Sequence, residues 1–279
     1  MGIELSADYR KEFGELVWTI GGNVTSNLST VTDLAFIDND QTSIVTAIQG
    51  AEFITSKGNV INAFYGYETN GIFQSSDEAK KLIGPKNRPM QAGDVRYVDQ
   101  NGDGKINNAD KTIIGNPNPL VYGGLFTSAA MKRFEVKAMF TYSVGNQIFN
   151  YVRYKGESMD TYANQFTTVL DHWTKDNSSN TMPRQSFGDL TGNTLFSDRW
   201  IEDGSYLKLK QLTVSYNLPQ SGLYSGIKVY LTVSNLFTLT KYSGQDPEFY
   251  YLNNPFYMGV DYGKLPNTRS FIIGVKLDL

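Results

Sequence analysis

Phe134-Glu-Val-Lys-Ala-Met-Phe-Thr-Tyr-Ser143 sets Phe134, Val136, Ala138, Phe140 and Tyr142 on one side of an extended chain and Glu135, Lys137, Thr141 and Ser143 on the other. Successive side chains of a strand point to opposite faces, so this period of two predicts a strand with one apolar face. Met131-Lys-Arg133 before it reads as a tight turn, which makes it half of a hairpin running from about Tyr122 to Ile148. The same alternation recurs toward both ends of the chain. Ile3, Leu5, Ala7 and Tyr9, then Leu16, Trp18, Ile20 and Val24, predict a hairpin turning through Arg10-Lys-Glu-Phe-Gly14. Leu207, Leu209, Leu212, Val214 and Tyr216 keep the period but slip frame near Lys210-Gln211, which predicts a bulge. A turn through Leu218-Pro-Gln220 to Gly226 leads to Ile227, Val229, Leu231 and Val233, and a last strand carries Phe271, Ile273, Val275, Leu277 and Leu279.

Between these hairpins the period is lost. From residue 25 to 120 only a short strand at Phe64–Tyr67 and a short helix at Ser76–Ile83, capped by Ser76, are expected. A second long connection runs from Phe149 to Gly204, with a helix-like stretch from Tyr162 to Trp173, and a third from about Tyr242 to Tyr262. Connections of that length between strands are usually functional. The expectation is an all-β fold of about eight strands, with short turns at one end and long loops at the other. That is the requirement of an antiparallel transmembrane β-barrel, apolar outside and polar within. Tyr9, Trp18, Tyr142 and Tyr216, near strand ends, fit an interfacial girdle. A soluble sandwich alternates in the same way, so a secreted calcium-stabilised β-sandwich binding module is the competing reading, and a small barrel closed on itself is a third.

Composition narrows the classes. The 279 residues contain no cysteine, which excludes disulfides, thiolate catalysis and cysteine-bound zinc. A net charge of -3 without a basic cluster argues against a nucleic-acid partner. No apolar run approaches the roughly 18 residues of a membrane helix, which leaves a strand-crossed membrane open.

Asp99-Gln-Asn-Gly-Asp-Gly-Lys-Ile-Asn-Asn-Ala-Asp110 specifies a chemistry of its own. In a twelve-residue calcium loop, side-chain oxygens sit at the first, third and fifth positions and glycine at the sixth, where the chain turns around the ion. Asp99, Asn101, Asp103 and Gly104 match, Lys105 offers its carbonyl, and Asn107 and Asp110 complete the set. A structural calcium ion is therefore expected. The departure is Asp110, where a helix-loop-helix site has a longer glutamate, and Asn101-Gly102 and Asp103-Gly104 also read as plain turn dipeptides.

An enzyme is not expected. His172 is the one histidine, in a polar stretch without a Gly-x-Ser-x-Gly elbow. Asp246 and Glu248 are a carboxylate pair in principle, but with only Pro247 between them they are expected to face solvent or hold a cation. Trp173, Tyr242, Phe249, Tyr250, Tyr251 and Tyr257 are the candidate contacts for a substrate or partner, since aromatic rings stack on sugars and anchor interfaces.

Gly93-Asp-Val-Arg-Tyr-Val-Asp-Gln-Asn-Gly-Asp-Gly-Lys-Ile106, Ile114-Gly-Asn-Pro-Asn-Pro119 and Tyr122-Gly-Gly124 together resemble the C-terminal signature of the SusC/RagA-type TonB-dependent transporters of Bacteroidetes. Tyr65-Gly-Tyr67, Gly71-Ile-Phe73, Trp173-Thr174, Pro183-Arg184, Tyr206–Lys210, Val233-Ser-Asn-Leu236 and Pro266–Ser270 extend the likeness over nearly the whole chain, in the family's order. The resemblance implies that residues 1–279 are the C-terminal segment of a barrel of about twenty-two strands, with the plug and earlier strands outside it. It implies a location in the outer membrane of a Gram-negative cell, among outer-membrane lipid, with the long loops extracellular and 25–120 the largest of them. The implied role is import of a glycan or peptide nutrient, with a SusD-like surface lipoprotein as lid. The TonB complex would act through the absent N-terminal part.

Overall fold

The computed structural model describes residues 1–34, 43–219, 226–249 and 257–278. In chain order its strands and helices are β1 (Gly2–Phe13), β2 (Leu16–Asn27), β3 (Ser43–Ile48), β4 (Ala51–Ser56), β5 (Ala63–Tyr67), β6 (Thr69–Ile72), α1 (Ser76–Ala79), β7 (Val95–Tyr97) and β8 (Lys111–Gly115). They continue with β9 (Val121–Met131), β10 (Phe134–Val144), β11 (Gln147–Asn150), α2 (Tyr151–Glu157), β12 (Ile201–Asp203), β13 (Tyr206–Asn217), β14 (Gly226–Thr240), β15 (Val260–Asp261) and β16 (Ser270–Asp278).

The long strands form one antiparallel sheet in the order β1-β2-β9-β10-β13-β14-β16. It has seven strands where about eight were expected, and it is open, with β1 and β16 as edges. Its registers explain the alternation. Val136 faces Ala129 on β9 and Val214 on β13, Val214 faces Leu231, and Leu231 faces Ile273. One face is therefore apolar from edge to edge, and much of it is uncovered, with Leu5 63% and Ile273 79% exposed. The other face carries Glu135, Lys137, Lys208, Thr213, Lys228 and Thr232. Glu135 accepts from Lys228 at 2.8 Å, and the Thr213 and Thr232 hydroxyls lie 2.9 Å apart.

The frame slip sits where it was expected. Met139 pairs with Gln211 and Phe140 with Leu209, so Lys210 is the extra residue. Opposite it on β14, Asn235 adopts φ 51°, the left-handed region that asparagine tolerates better than most residues. The bulge lets Leu209 and Leu212 both lie on the apolar face.

Two turns are tighter than they read. Phe13 pairs with Leu16, so the first hairpin turns on Gly14-Glu15 alone, with Gly14 at φ 61°, and Arg10–Phe13 belong to β1. Met131 pairs with Phe134 around Lys132, at φ 54°. The ring of Phe134 meets that of Tyr216 at 4.7 Å at this short-turn end. Tyr9 lies within β1 opposite Ile20 rather than at its end. The third short turn falls partly outside the described residues, as does Leu279.

The long connections leave the opposite end of the sheet, and they are folded. The stretch 25–120 holds a four-stranded sheet, β3-β4-β5-β8, and the β6-β7 pair. Sequence period finds β5, expected at Phe64–Tyr67, and misses the others, which are only three to six residues long. The expected helix at 76–83 reduces to α1, capped by Ser75 rather than Ser76. In 149–204 the expected helix at 162–173 is a 3-10 turn at Thr167–Asp171, and the helix that does form, α2, precedes it. Two clusters stabilise this layer. Phe53, Phe64, Phe149, Phe196, Trp200 and Val260 form one; Tyr67, Phe73, Met90, Val95, Tyr97 and Ile106 form the other. Burying each of these side chains contributes about 1.5–3 kcal/mol.

The two faces of the sheet differ in tolerance. Leu231→Arg on the apolar face should weaken folding into lipid vesicles by about 2–4 kcal/mol, whereas Met139→Lys on the polar face should change it by less than about 1 kcal/mol. Equal costs in vesicle-folding titrations would contradict the assignment of faces.

Candidate functional site

A cleft of about 860 Å³ opens in the loop layer, its wall mixing apolar surface with charged groups, among them Arg153, Glu157, Phe166, Glu202, Asp261 and Lys264. A small sheet, β12-β11-β15, positions it: β11 pairs antiparallel with β12 and parallel with β15, which brings Asn150 beside Asp261. Asn150 ends β11 and caps α2, accepting from the Arg153 backbone N–H at 2.9 Å. One turn of α2 then spaces Arg153 and Glu157 four apart on the same side.

Arg153 is held on three sides. Its Nε donates to Glu157 at 3.0 Å, its Nη1 to Glu202 at 2.9 Å, and the guanidinium lies 5.7 Å from the Trp200 ring centre. Glu202 also accepts from Asn150 at 3.2 Å and from the N–H and hydroxyl of Ser243 at 2.9 Å each. Burial opposes ionisation of Glu202, but the bonds from Ser243 and Arg153 outweigh it and hold the carboxyl below its usual range. Glu157 is buried and accepts from the Thr168 hydroxyl at 2.8 Å. No signal of short-range sequence pattern links residues 150, 157, 202 and 261; only the pairing of the three strands does.

The expected contact residues divide. Tyr242 is 5% exposed and donates to Asp261 at 2.6 Å; burial and that carboxylate push its phenol well up. It orients a wall of the cleft and does not face into it as a free ring. Tyr257 packs on Phe53 at 6.0 Å. Trp173 is half-buried and donates to Gln74 at 2.9 Å. Phe249 is half-buried beside Glu248, while Tyr250 and Tyr251 lie outside the described residues. His172 ends a 3-10 turn, with its Nδ1 2.9 Å from the Val169 carbonyl.

Asp246 and Glu248, expected to face solvent or hold a cation, enclose the ammonium group of a lysine. Lys208, on the polar face of the sheet and 2% exposed along its side chain, places Nζ 2.8 Å from both Asp246 oxygens and from Glu248. Lys210, projected by the bulge, donates to Glu248 at 2.8 Å, and Asn267 donates its backbone N–H to Asp246 at 3.1 Å. The first end of the 241–269 connection is thus tied to β13, and its second end is tied to the first.

In the 99–110 loop, Asp99 accepts from Gly102 and Gly104 N–H at 2.8 Å each, Asn101 from Asp103 at 2.9 Å, and Asp103 from Lys105 at 2.8 Å. Gly102 and Gly104 have φ of 74° and 77°, conformations that favour glycine. Asp110 is fully buried, accepting from Gln100 at 3.0 Å and Asn107 at 2.8 Å. Among the described residues no three acidic or histidine side chains are gathered closely enough to hold a metal ion between them.

A sheet with one apolar face, tight turns at one end and a folded loop layer at the other defines a segment of an antiparallel membrane barrel. No protein-family model matches the chain. It is 30% identical over 292 aligned positions to TonB-dependent receptor P3 of Formosa agariphila, spanning 99% of this chain and 28% of that receptor. It is 28% identical to TonB-dependent receptor SusC of Bacteroides thetaiotaomicron, over 94% of this chain and 24% of SusC. The solved structure of the RagAB peptide transporter superposes with a TM-score of 0.78 at 25% identity, covering 99% of this chain and 28% of the other. Over nearly its whole length the chain is therefore similar to the C-terminal part of SusC/RagA-type TonB-dependent receptors. It spans about a quarter of the length of these relatives, which are receptors and transporters rather than enzymes.

Removing one partner of a buried ion pair leaves the other uncompensated, at a cost of about 3–5 kcal/mol. Lys208→Met should therefore free the 241–249 segment, raising its protease cleavage rate in the folded receptor at least tenfold. In the parent, burial works against the Asp246 charge, but Lys208 and the Glu248 and Asn267 N–H groups hold its carboxyl below the usual range. Stabilisation from a lowered carboxyl is complete above the unfolded value, near pH 4, and is lost as pH falls through the folded value. Cleavage should stay slow from pH 8 to about 5 and accelerate only below about 4.

Proposed function

We propose that this chain forms wall and outer loops of an importer that carries an oligosaccharide or oligopeptide nutrient across the outer membrane. The carrying observation is the sheet's division into an uncovered apolar face and a charged face, with the folded loops gathered at one end. The apolar face meets outer-membrane lipid and the loop layer is extracellular. The fold kinship to SusC and to RagAB supports a SusD-like lipoprotein lid over these loops. Energy reaches the receptor through TonB, engaged by a part of the receptor beyond this segment. The residues here break no bond in the nutrient: they bound the path, line its wall and hold the loops in place. In cells producing the whole receptor, nutrient uptake should cease when TonB is deleted or the proton gradient is collapsed. Uptake that survives both would refute the reading.

We infer further that the 99–110 loop binds calcium through Asp99, Asn101, Asp103, the Lys105 carbonyl, Asn107 and Asp110. An all-oxygen set suits a hard cation, and the two glycines give the turn such a loop needs. The ion would brace β7 against β8. Calcium at a hundred times its dissociation constant would stabilise the fold by about 2.7 kcal/mol. Chelation should lower the Tm of the whole receptor by a few degrees, and Asp99→Ala should abolish that shift; an identical Tm with and without calcium would exclude the site.

A further inference from the structure

We propose that the short-turn half of β1 and β2 binds one anionic glycerophospholipid, its phosphate on Lys11 and an acyl chain in a groove over Ala7 and Gly22. This rests on the reading of the apolar face as the one that meets lipid, and adds to that reading a bound ligand of stated class.

The face itself singles out Lys11. It stands opposite Trp18 and in line with Leu5, Ala7, Tyr9 and Phe13, and its Nζ lies 5.8 Å from the Phe13 ring centre, which puts the ammonium on the apolar side. Among the described residues of the paired strands, it is the one charged side chain in the rows that make up that face. Neighbouring charges are committed to one another. Arg10 donates to Glu12 at 3.2 Å on the opposite side of β1, and Lys132 pairs with Glu15 at 3.1 Å from turn to turn. Lys11 has no such partner among the described residues. A lysine near the end of a lipid-facing strand lays its apolar stem along the protein and extends its charge to the headgroups, where phosphates lie.

Beside it runs a groove of about 440 Å³. Ala7 and Gly22, cross-strand partners, form its floor, and Leu5, Tyr9, Ile20 and Leu125 stand around them. No side chain can raise the floor at Gly22, since a Cβ there would come within 2.6 Å of the Gly124 carbonyl oxygen. Polar atoms nearby are satisfied inside the sheet. The Tyr142 hydroxyl donates to the Asn23 carbonyl at 3.0 Å, and Trp18 Nε1 to the Thr127 hydroxyl at 2.9 Å, which in turn donates to the Thr19 carbonyl at 3.1 Å. What remains is an apolar trough with two uncommitted polar groups on one strand, the Tyr9 hydroxyl and the Lys11 ammonium.

Those two groups select the ligand. An ammonium without a counter-ion matches a phosphate, and a phenol can donate to an acyl ester carbonyl. From Tyr9 to Leu5 the trough runs about 13 Å at 3.3 Å per residue, room for a stretch of hydrocarbon chain. A zwitterionic headgroup would bring a second cation beside Lys11, so a net anionic lipid is favoured. Position selects the source: the site is at the end of the sheet opposite the loop layer, which places it in the periplasmic leaflet.

The test titrates the full-length receptor in detergent with phosphatidylglycerol and, separately, with phosphatidylcholine of the same chains, read by native mass spectrometry. Phosphatidylglycerol should bind about fivefold more tightly, the effect expected of one lysine near an anionic headgroup. Lys11→Gln should abolish that preference and Lys11→Arg should keep it. Ala7→Leu, which fills the floor, should weaken both lipids alike, and inorganic phosphate should displace neither. Equal binding of the two lipids, a preference that survives Lys11→Gln, binding indifferent to Ala7→Leu, or displacement by inorganic phosphate would overturn the proposal. Failure of the wild-type receptor to insert into vesicles would refute the lipid-facing reading and the site with it; insertion without a headgroup preference would refute the site alone.

Discussion

A backbone in lipid has no water to bond, so each strand that crosses must find its hydrogen bonds in its neighbours. The seven-stranded sheet meets that demand between its edges by antiparallel pairing from β1 to β16 that shifts register only at one bulge, and everything else about the chain is arranged around it. The bulge at Lys210 is the one place where three adjacent strands depart from simple pairing. It is compatible with the membrane because it returns Leu212 to the same face as Leu209. It also serves the inner side, where the inserted lysine joins Lys208 in holding Glu248.

The loop layer follows a different physics. It is built of short strands, side-chain caps and aromatic clusters, and its buried carboxylates sit in hydrogen-bonded networks. Asp94, fully buried, is typical: Arg184 donates to it at 2.6 Å, Asn193 at 2.9 Å and the Gln91 N–H at 2.8 Å. A lone carboxylate in that position would cost several kcal/mol. The same logic makes the cleft beside α2 rigid, since its three carboxylates are each fixed by donors from separate segments.

Charge on the inner wall is likewise spent locally. Lys208 is almost fully enclosed by Asp246 and Glu248, which converts a pair of acidic residues from a surface feature into the anchor of a 29-residue connection, 241–269. That connection is thereby attached to the polar face of the sheet near its start, and Tyr257 and Tyr242 are absorbed into packing and into the wall of the cleft.

Period-two alternation, read from residues such as Phe134–Ser143, was enough to determine the long strands, the bulge, the apolar face and the end from which the loops emerge. Those features are local, because a strand's two faces are set by neighbouring side chains one and two positions apart. The motif likeness likewise pointed to the receptors that the chain is similar to. The short strands of 25–120 other than β5, helix α2 and the placement of Glu202 and Asp261 beside Arg153 were decided only by tertiary structure. These elements are too short to carry a period, and Glu202 and Asp261 lie about 50 and 110 residues from Arg153. Lys208 is the clearest case: its sequence neighbours mark it as one more polar residue on a strand, and only the returning chain at Asp246 and Glu248 makes it a buried tie.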